Sequence, residues 1–146
     1  MDTMDKGSLP YLIVDGHSII FAWDNLRKLH EQSNTAARDE FVRRMTAYQD
    51  ITGERVVIVF DGNRKQTESV TEPNGIQVFY SKDGITADQI IERLAGKYAD
   101  QRKITVASRD RAVLDTCSSL GAVAISANSL QELLEQAEIK LRSRLI

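Results

Sequence analysis

The chain has 146 residues, which suits one domain with a substantial core, and its 42% hydrophobic and 27% charged residues exclude an intrinsically disordered chain. No apolar run approaches the roughly 20 residues that span a bilayer. The formal net charge of −2 excludes a global basic field, so a polyanion partner would have to be held by a local basic patch or through metal ions. The chain has one cysteine, and its first residues are polar and lack the apolar stretch of a signal peptide. We therefore expect the protein in a reducing compartment, the cytoplasm.

The predicted elements start after residues 1–9, which we expect to be a disordered lead-in to a single domain over residues 10–146. An apolar run predicts a first strand at 11–14. Apolar residues at helical spacing from Ile19 to Leu29 then predict a first helix, and a polar stretch predicts a turn at 31–35. A second helix ends at Gly53, and its predicted apolar face consists of Ala37, Phe41, Met45 and Tyr48.

The middle of the chain predicts two further strands and a helix. The continuous, β-branched run at 56–60 is typical of a strand buried on both faces of a parallel sheet. A more alternating run at 76–80 predicts a strand nearer the edge, and the polar stretch from 62 to 75 predicts a loop of a length that is often functional. Thr86 and Gln89 form the pattern of a capping box, which places Asp88 at the second position of the next helix.

The last third repeats the alternation of strand and helix. The run at 104–107 predicts a strand, and Ser108 is a suitable N-cap that would place Asp110 at the second position of its helix. Cys117 shares an apolar helical face, so we expect a core residue rather than a nucleophile. A strand at 122–125 and a Leu-rich closing helix follow, with an apolar stripe for the core or a partner. The order predicts an α/β three-layer domain around a mostly parallel central sheet of about five strands.

Acidic residues follow the predicted strands or begin the predicted helices. Because the carboxyl ends of parallel strands meet at one edge of a sheet, these side chains are expected to lie near one another. Clustered carboxylates repel unless a cation neutralises them, and a hard divalent ion such as Mg²⁺ or Mn²⁺ suits oxygen ligands. Each acid also has a local explanation, because Asp-Gly pairs form turns and acids favour helix starts. The four candidates are Asp15, Asp61, Asp88 and Asp110.

Several further residues fall at the same predicted edge and are candidates for contact with substrate. Gly16 permits a tight turn or the close approach of a ligand beside Asp15. The cations could hold phosphates without reading base sequence, although a solvated charged face is equally consistent with them. Neither histidine has a partner at zinc-ligand spacing. The substrate-binding candidates are His17, Ser18, Arg64, Lys82, Arg109 and Arg111, with Lys65 beside them, whereas Arg38, Arg43 and Arg44 are expected to be surface residues.

Four segments resemble YacP-like NYN domains. Residues 11–23 resemble the family's opening, in which the letters DGYN are usual, and residues 57–62 (VIVFDG) resemble its second acidic strand. Residues 79–88 (FYSKDGITAD) and 106–111 (VASRDR) are similar to the family's TAD and TSD segments, so the resemblance extends from Tyr11 to about Leu134. The chain departs from the pattern at His17 and Ser18, where the family has tyrosine and asparagine, at Ile85, where glutamate is frequent, and at Arg109 inside the TSD motif.

The resemblance implies a PIN-like fold and a metal-dependent endoribonuclease. It implies that Asp15, Asp88 and Asp110 are the principal metal-binding carboxylates, with Asp61 as a fourth, and that Mg²⁺ or Mn²⁺ is the cofactor. The implied partner is RNA, and relatives implicated in mRNA cleavage on the ribosome extend this expectation to ribosome-linked mRNA. The departures bear on rate and substrate choice.

Two other functions fit the residues. A catalytically weak RNA- or ribosome-binding module could keep the fold while the altered motifs remove activity. A phosphatase of the haloacid dehalogenase type also begins with an aspartate at a strand end, but its usual second aspartate is replaced here by His17.

Overall fold

The computed structural model describes residues 9–64, 68–71 and 75–145, with only the backbone described at residues 63, 64 and 68–71. In these residues six strands form one sheet. The strands are β1 (Tyr11–Asp15), β2 (Arg55–Arg64), β3 (Glu68–Thr71), β4 (Gln77–Lys82), β5 (Ile104–Ser108) and β6 (Val123–Ser126). Their order across the sheet is β3-β4-β2-β1-β5-β6. Five strands are mutually parallel, as predicted, and β3 adds an antiparallel edge.

Helices cover both faces of the sheet, which gives the predicted three layers. The helices are α1 (Gly16–Ala22), α2 (Asp24–Gln32), α3 (Asn34–Thr52), α4 (Ala87–Tyr98), α5 (Arg111–Ser119) and α6 (Ala127–Arg144). One apolar core lies between the sheet and helices α1, α2, α3 and α6, and it includes the predicted face of α3. A second core lies between the opposite face and helices α4 and α5. Strand β1 is buried along its whole length, as the centre of such a sheet requires.

The chain reverses its direction of travel across the sheet between β1 and β5. From β1 it proceeds through β2 to β4, and it then returns to the other side of β1 to add β5 and β6. The connections that leave β1 and β5 therefore lead to helices on opposite faces, which opens a crevice at the carboxyl ends of these two strands. Ligands of open α/β sheets bind at such a point.

Four local predictions were wrong. Strand β3 and an extension of β2 occupy part of the predicted 62–75 loop, and β2 has an irregularity between Phe60 and Arg64. The first predicted helix is divided at Trp23, and the predicted turn at 31–35 is confined to Ser33. Asp110 is itself the N-cap of α5 and accepts a hydrogen bond from Ala112, instead of being the second helical residue.

Other local predictions were confirmed. Gly53 ends α3 with a φ of 78°, a left-handed conformation that favours glycine, and the Thr86–Gln89 capping box begins α4. Cys117 is buried in the second core, and burial raises the pKa of its thiol to about 11. The stripe of α6 is divided: Leu130, Leu134 and Ala137 are core residues, whereas Leu133, Leu141 and Leu145 are exposed. No helix in the described part of the chain is both long and apolar enough to cross a membrane.

Candidate active site at the carboxyl edge of the sheet

Asp15 and Ser108 form the centre of the site, at the crevice between β1 and β5. Asp15 ends β1 and is 6% exposed, while Ser108 ends β5 and is fully buried. The Ser108 hydroxyl donates to Asp15 Oδ2 at 3.0 Å and accepts from the Asp110 N–H at 3.0 Å. Ser18 Oγ lies 3.2 Å from Ser108 Oγ and accepts from the Arg109 N–H at 2.6 Å. This chain of bonds fixes the orientation of Asp15 and the turn that begins α5.

The other three predicted carboxylates lie around this centre. Asp61 is exposed next to the β2 irregularity, and its Oδ1 accepts from the Ala87 N–H at 2.7 Å. Asp88 lies in the first turn of α4 and is half-buried, and Asp110 is exposed at the start of α5. All four therefore lie along the carboxyl edge of the sheet, as the sequence predicted.

The four carboxylates influence one another electrostatically. The pKa of Asp15 is raised from 3.8 to about 6, chiefly by burial and also by the charges of Asp88 and Asp61, against the opposing effect of the Ser108 hydrogen bond. Burial also raises the pKa of Asp88, with added repulsion from Asp110 and Asp61. Within the described residues, none of the four forms an ion pair with lysine or arginine. Among the described side chains, the negative charge of this cluster is thus not matched by a paired cation.

The donors suit a hard divalent cation, because they are carboxylate oxygens with unneutralised charge. In the described part of the chain, however, no three His, Cys, Asp or Glu side chains are placed to hold one ion together. Ligation of one ion by three of these aspartates would therefore require side-chain movement from the arrangement seen here.

His17 and Ser18 contact other parts of the protein. The His17 ring lies 5.0 Å from the ring of Phe60 and 6.3 Å from that of Phe21, and burial lowers its pKa below the ordinary 6.5. The Ser18 hydroxyl is occupied by the hydrogen bonds to the β5–α5 turn, so it is a structural link and not a helix cap.

Gly16 packs against an aromatic ring, and its backbone is not in the left-handed conformation. It is buried as the first residue of α1, and a Cβ placed on it would overlap the ring of Phe60. The close approach that requires glycine here is that of an aromatic ring on β2. The same ring is stacked on Tyr80 at 5.8 Å.

The predicted cations differ in position. Arg109 and Arg111 are exposed on either side of Asp110 at the start of α5, and Arg111 pairs with Asp115 at 3.3 Å. Lys82 is exposed at the carboxyl end of β4. Arg64 ends β2, but its side chain lies outside the described part of the structure, as does the whole of Lys65.

Arg38 on α3, expected to be a surface residue, lies near the acidic edge instead. Its guanidinium carbon lies 5.5 Å from the centre of the Phe60 ring and 5.7 Å from that of Tyr80, a geometry suited to cation–π attraction. Its Nε is buried and has no hydrogen-bond partner among the described residues, and its charge acts to lower the pKa of His17. No sequence signal distinguishes Arg38 from the neighbouring arginines, because the rings beneath it belong to distant strands.

Comparison with known proteins places the chain in a family. The family model of the YacP-like NYN domain matches residues 12–146. The chain is 34% identical over 135 residues to the uncharacterized protein YacP of Bacillus subtilis (strain 168), covering 91% of this chain and 79% of that protein. It also matches crystal structures of Rae1 (YacP) from Bacillus subtilis, covering 92% of this chain and 79% of each. The W164L mutant gives a TM-score of 0.79 at 32% identity and the other structure 0.75 at 33%. The NYN fold is nuclease-like and related to RNA. The chain belongs to the YacP-like NYN domain family.

Proposed function

We propose that this protein is a metal-dependent endoribonuclease. The observation that carries the proposal is Asp15, a buried carboxyl with a pKa raised to about 6 at the crevice of a nuclease-like fold, next to three more carboxylates that have no paired cation among the described residues. Asp15, Asp88 and Asp110 would hold Mg²⁺ or Mn²⁺, with Asp61 assisting. Such an ion, when bound, supplies an activated water and stabilises charge on the phosphate oxygens.

The chain's own residues would orient the reacting groups. Ser108 fixes one oxygen of Asp15 through its hydroxyl, and a hydrogen bond from the Ser18 backbone also holds the Asp15 carboxylate. Asp110 is held by its hydrogen bond to the first turn of α5, and Asp61 by its bond to the first turn of α4. Arg109 and Lys82, both exposed at the same edge, would attract the phosphates of RNA.

The test is cleavage of a labelled, mostly single-stranded RNA in Mn²⁺ or Mg²⁺. We expect cuts that disappear with EDTA and in Asp15→Asn. The matched control is Asp50→Asn, the same charge change at an exposed position near the far end of α3, which should keep full activity. Full cleavage by Asp15→Asn would overturn the proposal.

A second function, an RNA-binding module with little or no activity, is favoured by one observation. No three acidic side chains of the described structure are placed to hold one metal ion, and the family's asparagine is a serine whose hydroxyl is engaged within the protein. RNA that is bound equally well with and without metal, and is never cut, would establish this function instead. Association with ribosomes stays a prediction under either function.

A further inference from the structure

A cleft of about 600 Å³ opens beside the carboxylates, on the β5–β6 side of the sheet edge. Its volume lies within the roughly 300–1,000 Å³ of typical ligand sites. Its walls come from the end of α1, from α2 and from the starts of α5 and α6. The side chains that matter below are those of Phe21, Arg27, Ser108, Arg109, Arg111 and Asn128.

Two long-range hydrogen bonds hold the walls of the cleft in place. The buried indole Nε1 of Trp23 donates to the carbonyl of Ala127 at 3.0 Å, which ties the α1–α2 junction to the first residue of α6. The Ser18 hydroxyl accepts from the N–H of Arg109, which ties α1 to the start of α5. The cleft is therefore a fixed feature of the fold and does not depend on a loop closing over it.

The charge lining the cleft is positive. Three arginines line it, and none of its described lining residues is an aspartate or glutamate. Arg27 pairs with Asp24 at 3.1 Å and Arg111 with Asp115, but all four side chains are exposed to solvent, so these pairs are weak and readily exchanged for a stronger anion. Arg109 has no carboxylate partner among the described residues. The N-termini of α5 and α6 reinforce the positive potential.

The cleft lies next to the acidic centre. Ser108 both lines the cleft and donates to Asp15, so one side chain separates the cations from the buried carboxylate. Phe21 adds a half-buried aromatic ring to the opposite wall. Cations with an aromatic ring are the combination that holds single-stranded nucleic acid, because the cations bind phosphate and the ring stacks on a base.

We propose that this cleft binds one nucleotide of a single-stranded RNA next to the bond presented to the carboxylates. The phosphate lies among Arg27, Arg109 and Arg111, and the base lies against Phe21. This proposal deepens the proposed nuclease function and rests on it for the adjacent cleavage, but the binding itself requires neither metal nor catalysis.

The experiment measures binding in EDTA, where no cleavage occurs, with fluorescein-labelled oligouridylate followed by anisotropy over a series of salt concentrations. The logarithm of the affinity falls as the logarithm of the salt concentration rises. Each lost phosphate contact lowers the magnitude of this slope by about 0.7 for a single strand. Arg27→Gln and Arg111→Gln, on opposite walls, should each reduce the magnitude of the slope by up to this amount, because the two arginines share one phosphate, and Arg27→Lys should restore it. The matched control, Arg142→Gln, alters an exposed arginine in the last turn of α6 and should leave the slope unchanged.

Phe21→Leu separates stacking from charge. It should weaken binding about fivefold or more while the salt slope stays that of the wild type. Unchanged slopes in both arginine variants, or an equal loss in Arg142→Gln, would overturn the cleft proposal even if the protein cleaves RNA. Tighter binding of the matching DNA than of the RNA would overturn the assignment to RNA. Reduced slopes in the arginine variants of a protein that never cleaves RNA would support RNA binding in the cleft and count against the nuclease function.

Discussion

Replacing Asp15 by asparagine tests whether the acidic centre is under electrostatic strain. The pKa of Asp15 is raised from 3.8 to about 6, chiefly by burial and further by Asp88 and Asp61. Between these two pH values the folded state binds more protons than the unfolded state, so the free energy of unfolding falls as the pH rises. The difference corresponds to about 3 kcal/mol, which is present below about pH 4 and lost above about pH 6.

Asparagine is nearly the same shape and carries no charge, and its amide oxygen can still accept from Ser108. We therefore expect Asp15→Asn to be more stable than the wild type at about pH 7, by up to about 3 kcal/mol, and equal to it near pH 4. Urea denaturation at several pH values measures this difference. The control, Asp50→Asn at an exposed position, should stay within about 0.5 kcal/mol of the wild type throughout. A variant that is less stable at pH 7, or a difference independent of pH, would refute the reasoning.

The same measurements with Mn²⁺ examine the metal separately. An ion at one hundred times its dissociation constant stabilises a folded protein by about 2.7 kcal/mol, and we expect this gain in the wild type but not in Asp15→Asn. Equal urea denaturation curves of the wild type with and without Mn²⁺ would count against metal binding. They would leave the electrostatic explanation of the raised Asp15 pKa intact.

Three further substitutions test individual contacts. Ser108→Ala removes the hydrogen bond that lowers the pKa of Asp15, so this pKa should rise above about 6. Titration of the carboxyl group by NMR measures the pKa, and an unchanged value would contradict the assigned hydrogen bond. Gly16→Ala should cost about 1–3 kcal/mol in urea denaturation, because the new methyl group displaces the Phe60 ring; a negligible cost would mean that the ring moves freely. Arg38→Met should raise the pKa of His17, because the guanidinium charge lowers it. Titration of the imidazole by NMR measures this pKa, and an unchanged value would contradict the contact.

The parallel core was predictable because its signals are local. The continuous run of β2 and the capping box of α4 carry their structure in adjacent residues, and both were confirmed. Strand β3 was missed because it is an antiparallel edge strand in a polar stretch, where pairing with β4 alone determines the structure. The break at Trp23 was missed because apolar residues keep helical spacing across it.

The composition of the site was predictable only in part. Acids placed after strands indicated the edge, since strand ends converge in any parallel sheet. Ser108 looked like an ordinary helix cap, yet it is 93 residues from Asp15 in sequence and 3.0 Å from it in space. Arg38 likewise gains its position from rings on β2 and β4. These contacts are tertiary, so no spacing within one segment could indicate them.

The four carboxylates lie together because three helices begin among them. Asp15 and Asp110 are N-caps of α1 and α5, Asp88 lies in the first turn of α4, and Asp61 accepts from Ala87 in that turn. Each helix start carries about half a positive charge, so the three compensate only part of the negative charge, as the raised pKa of Asp15 indicates. An RNA phosphate alone would add to this repulsion, whereas a divalent ion would remove it. RNA and the ion should therefore tighten each other's binding by the same factor. Titrations of RNA with and without Ca²⁺, under conditions in which no cleavage is detected, measure that factor, and a value of one or less would contradict this account.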